Sequence, residues 1–146
     1  MLTTLFSTNT EIVGLILRMT VGFIIFPHGA QKMLGWFGGY GYTATMGFLT
    51  STAKLPYIIG LSVILLEFVG SLMLIAGLGT RIVALGFIGL MIGIILTSHL
   101  QNGFFMNWFG NQSGEGFEYH LLVIGLAVAL LIGGAGKYSV DQLIVQ

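Results

Sequence analysis

The sequence predicts an all-α integral membrane protein, a four-helix bundle with both termini on the same side of the bilayer. Hydrophobic residues make up 55% of the 146 and charged residues 7%, whereas a soluble domain carries about 25% charged residues. Mean hydropathy is +0.98. Four apolar runs, residues 12–34, 57–78, 82–100 and 119–136, each approach the roughly 20 residues a helix needs to cross the hydrocarbon core. They read as one membrane domain over residues 1–146. The same composition removes other classes. A net charge of +0 leaves no basic surface for a polyanion, so nucleic acid is not expected as a partner. With no cysteine, any thiol chemistry must belong to another protein.

The first run lacks the basic flank of a leader and is longer than a leader's apolar core, so it is expected to be retained as a span. The connection from Trp36 to Pro56 holds Trp36, Tyr40 and Tyr42, which suit the headgroup layer. Within it, Tyr42 to Ala53 predicts a short interfacial helix with Met46 and Leu49 or Phe48 facing lipid, either an anchor or a lid over a site below. The tight turn Leu78-Gly79-Thr80-Arg81 makes the second and third spans antiparallel neighbours. The third span carries Gly86, Gly89 and Gly93. The Gly-x-x-x-Gly spacing of the last two suits a homo-oligomer or close packing within the bundle. Phe104, Phe105, Trp108 and Phe109 in the next connection extend the aromatic layer on the same side. A short helix, Val140 to Val145, follows the fourth span, with Asp141 as its expected cap. Arg81 and Lys137 lie on the side of the termini and Lys32 and Lys54 opposite; this slight bias favours cytoplasmic termini.

Glu67 is the only charged residue between Leu55 and Leu78. An ionised group at that depth costs about 3 kcal/mol on insertion scales, so it is expected to face the interior and find a partner. Arg18, placed roughly 7 Å towards the terminal side by helix rise, is the expected partner of Glu67, with Arg81 as its rival. Such a pair either locks helix register or leaves a carboxylate able to bind a ligand or handle protons.

His28 and Lys32 are four apart on the first helix, after Pro27, which can open a carbonyl towards the interior. His99 ends the third helix, while Glu118 and His120 begin the fourth. His28, Lys32, His99, Glu118 and His120 are therefore expected to converge as a ligand-binding set in the half of the bundle near the longer loops. Glu67, His28 and His99 are the candidates for catalysis. Imidazoles beside a carboxylate and a lysine suit a quinone, whose carbonyl oxygens accept hydrogen bonds and whose electrons travel with protons. His28 with His99 is also the pair to consider for haem, although no paired-cysteine attachment motif is present. The spacing of His99, Glu118 and His120 is not that of a recognised zinc motif, and no metal is expected.

The strings His28-Gly29-Ala30-Gln31-Lys32, Leu65-Leu66-Glu67, Gly77-Leu78-Gly79-Thr80-Arg81 and Gly134-Ala135-Gly136-Lys137-Tyr138-Ser139-Val140-Asp141 resemble the DoxX family in order and spacing from about Gly14 to Leu143. His99, Asn102-Gly103-Phe104-Phe105 and Gly116-Phe117-Glu118-Tyr119 resemble one branch of it. The resemblance implies a small four-helix protein of the bacterial cytoplasmic (inner) membrane linked to redox chemistry. Some relatives are membrane subunits of a thiosulfate:quinone oxidoreductase, and others associate with thiol-stress and superoxide-defence proteins. His28, Lys32, Glu67, Arg81, His99, Glu118 and Asp141 occupy the matching positions. The expected function is a quinone-binding subunit passing electrons between a soluble or membrane redox partner and the quinone pool. The alternatives are a non-catalytic scaffold or assembly factor for a redox complex and, less well supported by four short spans, a small-solute transporter.

Overall fold

The computed structural model describes residues 11–145; the stretch before Glu11, where the basic flank of a leader was sought, lies outside them. Among the described residues all regular structure is helical. Helix α1 spans Ile12–Leu34 and continues unbroken through Pro27. Helix α2, Gly41–Gly47, runs on into a π turn at Phe48–Thr52. Helices α3, Tyr57–Ala76, and α4, Thr80–Asn102, are followed by α5, Glu118–Gly133, and the short α6, Val140–Val145. A rise of 1.5 Å per residue makes α1, α3 and α4 about 30–35 Å long, enough to cross the hydrocarbon layer. At 16 residues, α5 reaches only about 24 Å. The arrangement is a helical membrane bundle of three long apolar helices and one shorter one.

The two ends of the bundle differ. On the terminal side the Lys137 N–H donates to the Glu11 carbonyl at 3.2 Å, bringing the start of α1 beside the link between α5 and α6. The opposite side carries α2 and the long connection between α4 and α5, and is called the loop side below.

The helices pack as two antiparallel pairs, α1 against α3 and α4 against α5. Helices α3 and α4 follow one another through Gly77 and Gly79, whose φ angles of 70° and 60° lie in the left-handed region that glycine adopts without steric cost. Chain adjacency does not make them principal partners, because each turns its more tightly packing face elsewhere. Val21, Ile25, Leu74, Ala84, Phe87 and Leu130 close the apolar core of the terminal half. Large side chains such as Ile16, Ile82 and Ile132 face outwards, as lipid-facing residues do. On α2 the expected lipid-facing Met46 is turned inwards. It is 6% exposed and sits against Gly60, where the missing side chain leaves room for its thioether, while Phe48 faces outwards.

The closest helix contact is α1 against α3 at Gly29. A Cβ built there would lie 2.4 Å from the carbonyl carbon of Glu67 and 2.5 Å from both its oxygen and the Phe68 nitrogen. Only hydrogen fits that gap, and the contact fixes Gly29 level with Glu67. On α4, by contrast, Gly89 and Gly93 have nothing within 4 Å and face outwards. Replacing Gly29 by Ala should therefore cost about 1–3 kcal/mol or more through overpacking. Gly89→Ala should be neutral or slightly stabilising. Thermal unfolding of the two variants in detergent, side by side, checks both outcomes.

Candidate functional site

Glu67 lies within a π turn, Leu66–Gly70, in the middle of α3, a local widening of the kind often found at functional sites. It is 4% exposed. Its partner is Lys32, whose Nζ lies 2.5 Å from Oε2, rather than Arg18 or Arg81. Side-chain direction explains the difference. Helical Cα–Cβ bonds tilt towards the helix N-terminus, so Lys32, on the loop side of the carboxylate, leans down to it, while Arg18 leans away. Register adds to this effect. Because Gly29 is level with Glu67, Arg18 lies about 16 Å further down α1, out of reach.

Arg18 instead donates to main-chain carbonyls at the end of α3 and in the link between α5 and α6. Its guanidinium reaches Leu74 at 3.2 Å, Ala135 at 3.0 Å, Lys137 at 3.3 Å, Tyr138 at 2.7 Å and Ile75. The Leu74 and Ile75 carbonyls belong to the last turn of α3, where the helix end is partially negative and suits a cation, and the other three belong to the link between α5 and α6. Arg81 donates to the Leu131 carbonyl at 2.6 Å. Asp141 does not cap its own helix. It accepts from the N–H groups of Gly79 at 2.6 Å and Thr80 at 2.9 Å, capping the start of α4.

Nearer the loop side, His120 is 8% exposed and packs on His99 with ring centroids 4.5 Å apart. His99 ends a second π turn, Ile95–His99, and its Nδ1 donates to the Glu115 carbonyl at 2.7 Å. A neutral ring with that bond keeps its lone pair on Nε2. His28, considered with His99 for haem, is exposed on α1, whereas His120 is buried.

Glu118 is also turned from the histidines, accepting from the Met106 N–H at 3.0 Å. Glu115 accepts from the Asn107 N–H at 2.7 Å. These two carboxylates shape the α4–α5 connection. Among the described residues no three His, Cys, Asp or Glu side chains are grouped as metal ligands. At the interface, Tyr42 and Tyr57 hydroxyls pair at 2.8 Å, and this bond raises the Tyr42 pKa.

Tyr119 belongs to the site although its type and position did not single it out. Its ring lies 5.5 Å from that of His120. Among the described residues three buried side-chain polar atoms make no hydrogen bond, and two of them are the Tyr119 hydroxyl and His120 Nδ1. Buried polar groups are almost always satisfied, so these atoms stand out; the third is Thr80 Oγ1, at the start of α4. The signal in the sequence was the tyrosine directly preceding a histidine at the start of an apolar helix.

The structure thus brings Lys32, Glu67, Tyr119, His120 and His99 into the loop half of the bundle, with His28 and Glu118 directed elsewhere. Replacing Lys32 by Met leaves a buried carboxylate without its partner and should cost about 3 kcal/mol. Adding Glu67→Gln should recover much of that loss, and a double-mutant cycle of unfolding free energies measures the coupling.

Two comparisons bear on this arrangement. The model of the DoxX family matches residues 13–100. A Bacillus subtilis (strain 168) protein named "Putative oxidoreductase CatD" is 32% identical over 120 residues, covering 82% of this chain and 79% of the relative. No solved structure matches. The family match covers α1 to α4 up to the residue after His99, and the relative extends over most of the chain. The protein belongs to the DoxX family.

Proposed function

We propose that this membrane protein is a quinone-linked redox subunit of the bacterial cytoplasmic membrane, with cytoplasmic termini and its ligand site in the loop half of the bundle. The observation that carries the reading is the pair of unpartnered buried groups, the Tyr119 hydroxyl and His120 Nδ1, in the same half of the bundle as the buried Lys32–Glu67 ion pair. A bound quinone supplies two-electron chemistry accompanied by protons. The Tyr119 hydroxyl donates to one carbonyl oxygen, and His120 Nδ1 accepts or donates according to the state of the ligand. Glu67 holds the Lys32 ammonium at 2.5 Å and so fixes a charge pair within the site. The name of the Bacillus relative supports a redox role. Electrons come from a soluble or membrane partner, since a chain without cysteine has no thiol relay.

A second reading is a scaffold whose buried charges only join helices. Arg18 favours it, for its guanidinium joins α1 to main-chain carbonyls of α3 and of the α5–α6 link. The two readings separate on Glu67→Gln. As a quinone subunit, the detergent-purified protein should co-purify with quinone or bind added quinone saturably, and Glu67→Gln should stay folded while binding at least tenfold more weakly. Well-folded wild-type protein without bound or bindable quinone, with Glu67→Gln lowering folded yield, would establish the scaffold.

A further inference from the structure

His28 is a polar side chain that the bundle leaves outside. It lies six residues before Leu34, where α1 ends, which is about 9 Å inside that end by helix rise. Helical side chains lean towards the helix N-terminus, here still deeper into the membrane. Yet the residue is exposed, on a helix whose outward side chains one turn away include Phe23 and Ile24. Among the described residues its imidazole has no hydrogen-bond partner. Ionisable groups within a span almost always face the interior or a cavity and pair there, so an outward, unpaired imidazole at this depth calls for an occupant. Lys32 follows one turn later, and residues four apart on a helix are surface neighbours with Cβ atoms about 5–6 Å apart. Its ammonium has three N–H groups. Among the described residues Glu67 Oε2, at 2.5 Å, is the one acceptor it meets. The pair is exposed from one side, 30% for the lysine side chain against 5% for the glutamate.

We propose that His28 and Lys32 form a binding site on the outer surface of α1, open to the lipid, for the carbonyl-bearing head of a molecule dissolved in the bilayer. Even a neutral imidazole offers one N–H, and the ammonium keeps two after serving Glu67. Unspent donors select a ligand head that carries oxygen acceptors. Glu67 already balances the lysine charge, so a neutral carbonyl oxygen enters without bringing an uncompensated charge into the lipid. The depth of His28 favours approach from within the bilayer. Two kinds of bilayer molecule carry this chemistry, a quinone through its ring carbonyls and a phospholipid through its ester carbonyls. The site is separate from the Tyr119 hydroxyl and His120 Nδ1, which are buried, and it does not depend on the quinone reading.

The test is native mass spectrometry of delipidated, detergent-purified protein titrated separately with a ubiquinone carrying a ten-carbon tail and with dioleoylphosphatidylcholine. The wild type should bind one of them saturably. His28→Leu should weaken that binding at least fivefold and leave the thermal unfolding temperature unchanged. His28→Asn, which keeps a donor, should bind within twofold of the wild type, and Phe23→Leu, on the same helix, should have no effect. If His28→Leu does not fold, His28→Phe repeats the test; failure of both to fold makes the side chain structural and overturns the proposal. Unchanged binding in the folded variant, equal weakening by Phe23→Leu, or no saturable binding of either molecule also overturns it. The titration that responds names the source of the carbonyl. Quinone binding that His28→Leu leaves intact removes this site and keeps the quinone reading. Phosphatidylcholine binding that His28→Leu weakens, with no quinone bound, keeps the site and removes the quinone reading.

Discussion

Much of the bundle's geometry depends on one side chain, Arg18, gathering main-chain carbonyls where α3 ends and where α5 gives way to α6. Burying a guanidinium costs several kcal/mol, and hydrogen bonds involving a charged group each return about 1.5–3 kcal/mol. One or two would not offset the burial, whereas a set of five carbonyls can. The chain is therefore held where all five converge, which fixes the depth of α1 relative to α3 and α5. With that depth set, Gly29 falls level with Glu67 and the two backbones close to contact distance. Lys32 then lies one turn above the carboxylate and bends down to it. The terminal anchor and the ion pair of the loop half are two consequences of one helix register.

The four apolar helices and their order were legible in the sequence because lipid imposes a simple rule: backbone groups must pair within the segment, and side chains must be apolar. The interior role of Glu67 followed from the same rule. Its partner did not follow, because aligning the middles of two spans assumes equal depth, and the contact at Gly29 shifts α1 against α3. His28 and Lys32 share a helical stripe, but only Lys32 leans to a charge; the stripe shows direction around the axis and says nothing about where a neighbouring helix stops. Glu118 looked like part of a cluster because it sits beside His120 in the chain, yet the N–H of Met106 takes it. Asp141 resembled a local cap, and it caps a helix distant in sequence because the turn before α4 folds onto α6. Each difference arises from tertiary placement, which periodicity does not encode.

The two π turns in the long helices show how the site acquires its shape. An α-helix places side chains at even angular steps, and one wider turn rotates everything beyond it. In α3 the wider turn includes Glu67, and in α4 it ends at His99. Both helices are thereby re-aimed at the residues that matter, while their apolar faces remain against the core and the lipid.

The cap on α4 has a consequence for how the protein is made. The N–H groups of Gly79 and Thr80 enter the bilayer early in synthesis, yet the carboxylate that holds them belongs to Asp141 and leaves the ribosome about sixty residues later. The carbonyls of Lys137 and Tyr138 that complete the Arg18 anchor arrive just before it. Until then the start of α4 is open and Arg18 has only the α3 carbonyls of its set. The stretch from Lys137 to Asp141 acts as a latch that closes both gaps together.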